Sequence, residues 1–159
     1  MTTFEEFYED TIDTVTSYLL RRCDPSDAQD VISEAYVIAW RKHAHKAPNP
    51  IGYLLLTARR VLDRTRRGQA SQEVIAERLS RLMARSGPSA EDVAIRRREV
   101  AEALASLSEL DREALLLTAW DGLSSADAGE VLGLSAGALR VRVHRARQQL
   151  ISTERTTHA

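Results

Sequence analysis

The sequence predicts an all-α protein with two small helical domains joined by a flexible linker, and with a helix-turn-helix in the C-terminal domain. Apolar residues recur at helical spacing along most of the 159 residues, and no window alternates as a half-buried strand would. The chain has only 7 glycines and 4 prolines, which leaves few helix breakers. Serine, threonine or asparagine precedes several periodic segments, as helix N-caps do.

The stretch from Ser124 to Leu150 has the pattern of a helix-turn-helix. Ser124 opens a short helix, and Gly133 can adopt the left-handed conformation that ends it. Ser135 caps a second helix, whose apolar seam recurs at residues 139, 143, 146 and 150. The opposite face is rich in arginine, so this helix can enter the major groove of DNA. An ordinary amphipathic hairpin with a solvated basic face is the alternative.

Charge is distributed unevenly along the chain. The formal net charge is only −1, yet residues 1–40 hold nine acids against two arginines, and residues 41–68 hold eight bases against Asp63. Such a chain can meet two partners of opposite charge. No run of about 18 apolar residues and no signal peptide is present. We therefore expect a cytoplasmic protein without membrane insertion.

Two helices are predicted in the acidic region. Thr3 and Glu6 form a capping box for the first helix. The second helix, from about Pro25 to Lys42, carries three acids within roughly 60° of one another, which makes either a solvated face or a docking stripe for a basic protein. These acids are Asp27, Asp30 and Glu34. Trp40 near the end of this helix is expected to be a buried anchor.

A third helix, about Pro50 to Arg67, begins with an Asn49 cap and a proline at its first position. Its outward face is basic with one aromatic residue, and comprises Tyr53, Arg60, Arg64 and Arg67. Arginine suits phosphates and an aromatic ring can stack on a base, so this face fits single-stranded DNA. A solvated helix with Tyr53 half-buried is the alternative.

The domain boundaries follow from composition. We expect a first domain over residues 1–68, a linker with some helix over 69–90, a second domain over 91–152, and a disordered polar tail over 153–159. The clearest break is Ser86-Gly87-Pro88-Ser89.

Catalytic and metal-binding patterns are missing from the sequence. His43 and His45 lack the further ligands that a metal site needs, and Cys23 is the single cysteine. We find no nucleophile with an adjacent base and no phosphate-binding loop. The sequence therefore predicts neither an enzyme nor a bound cofactor or metal.

Two segments together resemble a known family. DAQDVISEAYVIAWRK with NPIGYLLLTARRVLDRTRR is similar to region two of bacterial extracytoplasmic-function (ECF) sigma factors, of the sigma-70 superfamily. LSELDREALLLTAWDGLSSADAGEVLGLSAGALRVRVHRARQQL is similar to region four. The resemblance implies a protein that binds core RNA polymerase and directs it to promoter DNA. It also implies control by an anti-sigma protein, and association with the nucleoid when the protein is bound to polymerase.

The resemblance also assigns roles to residues. The helix with Asp27, Asp30 and Glu34 matches the one that docks on the clamp helices of the largest polymerase subunit. The segment that captures the −10 element, where one base is flipped into a pocket, matches Asn49, Tyr53, Arg60, Arg64 and Arg67. The residues that meet the −35 element match Arg140, Val141, Arg142, His144 and Arg145.

The sequence departs from the family pattern at several positions. Tyr53 stands where the family usually has Trp, and Arg60 where Asn is common. Ala128 and Gly129 replace the usual Ile and Ala, which predicts a marginal C-terminal domain because glycine inside a helix costs about 0.5–1 kcal/mol relative to alanine. A transcriptional regulator that binds duplex DNA through its helix-turn-helix without polymerase is the competing interpretation. The acidic stripe followed by a basic aromatic helix favours the sigma factor.

Overall fold

A computed structural model describes residues 2–66, 70–85 and 91–157, and every regular element in these ranges is helical. The prediction of an all-α fold is therefore confirmed. A 3₁₀ turn lies at Ala44–Lys46, and a π-helical turn at Leu116–Trp120. The α-helices are α1 Phe4–Leu20, α2 Pro25–Arg41, α3 Pro50–Thr65, α4 Gln72–Ala84, α5 Glu91–Ser106, α6 Glu109–Leu115, α7 Ser125–Leu132 and α8 Ala136–Thr157.

The chain divides into two compact units, Met1–Gln69 with Glu130–Gly133 and Ala70–Gly129 with Leu134–Ala159. This division does not contain the separate linker that was expected over residues 69–90. In its described part α4 packs against α5 and buries Ala76 and Leu79, so this part belongs to the second unit. The predicted break at residues 86–89 lies outside the described residues.

In the first unit, α1, α2 and α3 pack against one another in pairs. Their apolar seams form a core in which Val15, Leu19, Leu54 and Leu55 are completely buried. The predicted capping box at the start of α1 is confirmed, since the Thr3 side chain accepts from the Glu6 N–H and the Glu6 side chain accepts from the Thr3 N–H.

A polar contact that the periodicity does not reveal lies among the aromatic rings of this unit. The Thr11 hydroxyl donates to the Phe7 carbonyl and lies 2.8 Å from the Tyr36 hydroxyl. The centre of the Tyr36 ring also lies 4.7 Å from that of the Tyr8 ring, and the two planes are tilted by 57°. Burial raises the pKa of Tyr36 to about 12, against a smaller lowering by the Thr11 hydrogen bond.

In the second unit, α4 packs on α5, α6 packs on α8, and α5 also contacts α8. Leu79, Leu117 and Leu139 are completely buried in this unit. The last helix differs from the sequence expectation, which places a disordered tail from residue 153. Helix α8 continues to Thr157, and within this stretch the Thr156 hydroxyl donates to the carbonyl of Ser152.

Candidate nucleic-acid interface

The basic face of α3 lies at the surface of the first unit. Arg60 and Arg64 are exposed, and the Tyr53 side chain is 36% exposed, so its ring is accessible to a stacking base. Asn49 is half-buried and caps α3 as predicted, because its side-chain oxygen accepts from the Gly52 N–H at 3.0 Å. Arg67, also predicted for this face, lies outside the described residues.

The three acids of α2 are all exposed, as a docking stripe requires. One of them is paired within the unit, since Glu34 Oε1 lies 2.6 Å from Arg64 Nη2. Both side chains remain at least half exposed. The pair therefore joins a residue predicted to bind polymerase to a residue predicted to bind DNA.

Trp40 contradicts the expectation of a buried anchor, because it is 60% exposed. The physical reason is its position on α2, about 100° from the buried Ala39 and about 140° from the buried Ala35. Val37 is also exposed, at 46%. The spacing of Val37 from Glu34 could have indicated that it continues the acidic stripe. We call the exposed residues Asp27, Asp30, Glu34, Val37 and Trp40 the outer face of α2.

The capping and turn chemistry predicted for the helix-turn-helix is confirmed. The Ser124 hydroxyl accepts from the Asp127 N–H, and the Ser135 hydroxyl accepts from the Ala138 N–H, both at 3.1 Å. Gly133 has φ 70°, a left-handed conformation that glycine adopts without strain. Helix α7 thus ends at Leu132, one residue before Gly133, and α8 begins at Ala136, directly after the Ser135 cap.

Helix α8 separates a buried seam from an exposed basic face. Leu139, Val143 and Ala146 are buried, as the spacing predicts. On the exposed side, Val141 is an apolar residue with 58% exposure. A valine methyl at such a position can contact the methyl group of thymine. The polar residues exposed with it are Arg140, His144 and Arg145.

Arg142 differs from these neighbours. Its Nη1 lies 3.1 Å from Oδ1 of Asp111, a carboxylate whose side chain is 5% exposed, and Arg142 itself is 30% exposed. Asp111 belongs to α6 and was not singled out by sequence. No local pattern could have identified it, because its partner is 31 positions away along the chain.

Neither a metal site nor a membrane span is found among the described residues. No group of three or more His, Cys, Asp or Glu side chains there could hold a metal ion. No helix within residues 2–66, 70–85 and 91–157 is long and apolar enough to cross a bilayer.

Comparison with known sequences identifies relatives. A family model for sigma-70 region 4 matches residues 97–150. The ECF RNA polymerase sigma factor SigK of Mycolicibacterium vanbaalenii is 32% identical over 152 residues, which cover 88% of this chain and 76% of the relative. SigE of Mycolicibacterium smegmatis is 33% identical over 78% of this chain and 50% of its own length. The chain spans 66% of the length of SigK from Mycobacterium sp. strain KMS, at 32% identity over 76% of this chain.

Solved structures have a similar fold. CnrH, in a complex with the cytosolic domain of CnrY, superposes with a TM-score of 0.62 at 25% identity, covering 96% of this chain and 88% of that chain. The sigma factor RpoE of Bartonella quintana, in a complex with the anti-sigma factor NepR, gives 0.66 at 20% identity, covering 96% of each chain. With the sequence identity and coverage of the SigK relatives, the chain belongs to the family of ECF RNA polymerase sigma factors.

Proposed function

We propose that this chain binds core RNA polymerase and directs promoter recognition and transcription initiation. The observation that carries the proposal is the pair of oppositely charged surfaces on the first unit, the acidic outer face of α2 and the basic face of α3. One surface suits a basic protein partner and the other suits DNA phosphates. A duplex-binding regulator would need only the helix-turn-helix formed by α7 and α8.

Core polymerase binds, in this proposal, to the outer face of α2. The three carboxylates would pair with basic residues of the clamp helices of the largest subunit, and such charges steer association. Val37 and Trp40 would supply the apolar contact, and tryptophan is among the residues that most often dominate interface energies. The exposure of Trp40 and Val37 on the same face of α2 as the three carboxylates supports this assignment.

Promoter contacts would come from both units. The opened −10 strand would lie on α3, with a base stacked on Tyr53 and phosphates paired with arginine. The residues proposed for this role are Asn49, Tyr53, Arg60, Arg64 and Arg67. The exposed face of α8 would read the −35 duplex, with Val141 against thymine and Arg145 bidentate to guanine or paired with phosphate.

An anti-sigma protein is the proposed regulator. CnrH and RpoE are each seen in a complex with a partner, the cytosolic domain of CnrY and NepR respectively. By analogy, such a partner would hold this chain in the cytoplasm until a signal releases it to polymerase and the nucleoid. The proposed role is transcription initiation and involves no catalysis by this chain.

Run-off transcription tests the proposal. Purified core polymerase, with and without the chain, would transcribe a library of bacterial promoter fragments, and the chain should direct initiation at a defined subset. No binding to core polymerase would contradict the proposal. Tight operator binding without polymerase in a gel shift would instead identify a duplex-binding regulator.

A further inference from the structure

The ion pair between Arg142 and Asp111 joins α8, the helix proposed to read the −35 duplex, to α6. The N–O distance is 3.1 Å, and the carboxylate side is almost completely buried. A buried carboxylate without a cation is strongly unfavourable, because it loses its hydration without compensation. Arg142 provides that cation, so its guanidinium is paired with a residue of α6.

The position of Arg142 around the axis of α8 is consistent with its ion pair with Asp111. At 100° per residue, Arg142 lies about 60° from Leu139 and about 40° from Ala146, both buried in the core. Arg145 lies about 120° from Leu139 and is exposed. Arg142 is therefore directed to the flank of the packed seam and away from the centre of the exposed face.

Asp111 is itself held in place. Its backbone N–H donates to the hydroxyl of Ser108 at 3.3 Å, at the start of α6. Helix α6 packs directly on α8. Asp111 is thus held at the start of α6, the helix on which α8 packs.

The side of α8 that packs on α6 is apolar, with Leu139, Val143 and Ala146 buried. The hydrophobic effect has no directional preference of its own. A charge-assisted hydrogen bond is directional. The Arg142–Asp111 pair therefore adds a directional constraint on the rotation of α8 about its axis to the constraint from the apolar seam.

We propose that Arg142 is a positioning residue: through Asp111 it fixes the rotation of α8 so that Val141, His144 and Arg145 face the DNA, and it does not contact DNA itself. This revises the expectation that Arg142 binds the −35 element, and it rests on the proposed function of the helix-turn-helix. It also makes Asp111, an acid, a residue required for DNA recognition.

The salt dependence of DNA binding distinguishes positioning from phosphate contact. Each phosphate contact adds about 1 to the slope of log affinity against log salt concentration. The full chain would be titrated with a 30-base-pair duplex of mixed sequence at four salt concentrations. Arg140→Gln is the matched control, because Arg140 is exposed two positions away and makes no ion pair within the described part of the chain.

The two variants should behave differently. Arg140→Gln should lower the slope by about 1, as expected for a lost phosphate contact. Arg142→Gln should leave the slope unchanged. It should lower the preference for a duplex enriched by the wild-type chain with core polymerase by roughly tenfold, equivalent to about 1.4 kcal/mol. Arg142→Lys, which can still pair with Asp111, should restore part of this preference.

Asp111→Asn gives a second test, because positioning and simple electrostatics predict opposite changes in DNA binding for this variant. Removal of a negative charge should strengthen DNA binding if Asp111 acts only through its charge. Positioning predicts a loss of preference instead, and the double variant with Arg142→Gln should lose no more than either single variant. Circular dichroism would verify that each variant is folded. If Asp111→Asn does not fold, the comparison of Arg142→Gln with Arg142→Lys distinguishes positioning from phosphate contact.

A slope reduction by Arg142→Gln equal to that of Arg140→Gln would overturn the inference, as would tighter binding by Asp111→Asn. Because the slopes are measured on the chain alone, failure to bind core polymerase would contradict the proposed function without deciding this point. No duplex binding by the wild-type chain, alone or with polymerase, would overturn both.

Discussion

Glu34 of α2 and Arg64 of α3 form an ion pair of 2.6 Å on the surface of the first unit, and both side chains stay at least half exposed. An exposed pair contributes only about 0–1 kcal/mol to stability. Its significance lies in the separate partners proposed for the two residues. If a basic group of polymerase pairs with Glu34, as proposed, Arg64 would become available to DNA.

Glu34→Gln should therefore raise the affinity of the free chain for single-stranded DNA. The increase should be larger than that from removing one negative charge at another acid of α2. Asp30→Asn is the control, because Asp30 has no ion-pair partner within the described residues. The expected difference is up to about fivefold, which corresponds to the energy of an exposed pair. Fluorescence anisotropy with a labelled oligonucleotide measures it. Equal effects of the two variants would show that the pair does not restrain Arg64.

Trp40→Ala should weaken core-polymerase binding by about 2 kcal/mol or more, as truncation of an interface hot spot does. The change should leave the free energy of unfolding within about 0.5 kcal/mol, because Trp40 is a surface residue with 60% exposure. Ile95→Ala, which truncates another residue of 55% exposure on a different unit, is the control. Surface plasmon resonance with immobilised polymerase and urea unfolding give the two quantities. Unchanged polymerase affinity would remove Trp40 from the interface.

Gly129→Ala should destabilise the protein, although helix propensity alone predicts a gain of about 0.5–1 kcal/mol. A Cβ at Gly129 would overlap the backbone carbonyl oxygen of Leu134, which cannot move as a side chain can. The loss should be about 1–3 kcal/mol, typical of overpacking. Gly129 therefore permits the close approach of the turn, and alanine at this position would not recover the stability that helix propensity alone predicts.

Gly137→Ala is the matched comparison, since a Cβ there would meet only the Arg140 guanidinium, at 4.0 Å. It should leave stability unchanged or slightly higher, and should weaken −35-dependent transcription if the start of α8 approaches DNA closely. Thermal unfolding of both variants tests the contrast. A stabilising Gly129→Ala would contradict this account of the turn.

Tyr36 should contribute to an alkaline loss of stability. Its pKa is raised from 10.0 to about 12 by burial, so the folded state holds the proton more tightly than the unfolded chain. The contribution is complete below pH 10.0, and it is lost as the pH rises towards 12. Tyr36→Phe should flatten this part of the profile in urea unfolding at increasing pH, at a cost of about 0.5–1.5 kcal/mol for the lost hydrogen bond. Tyr53→Phe, at a residue of α3 that is 36% exposed, is the control, and an identical profile for Tyr36→Phe and wild type would exclude Tyr36 as the source.

The family and the helices could be predicted from sequence because they depend on local chemistry. Thr3, Asn49, Ser124 and Ser135 cap helices through hydrogen bonds that span three residues, and Gly133 ends α7 through its own backbone freedom. The apolar spacing likewise identified the buried seam of α8, since a helix of known pitch fixes which side chains share a face.

Contacts between distant segments were decided only by the tertiary structure. Periodicity gives the direction of a side chain from its helix axis, but not which neighbour covers it. The burial expected of Trp40 was wrong for another reason, because its helical position already places it away from the buried Ala35 and Ala39. Thr11 meets Tyr36 across 25 positions, Arg64 meets Glu34 across 30, and Arg142 meets Asp111 across 31. The sequence by itself determined the helices and the family, while the packing of one helix on another decided which polar side chains are left free for a partner.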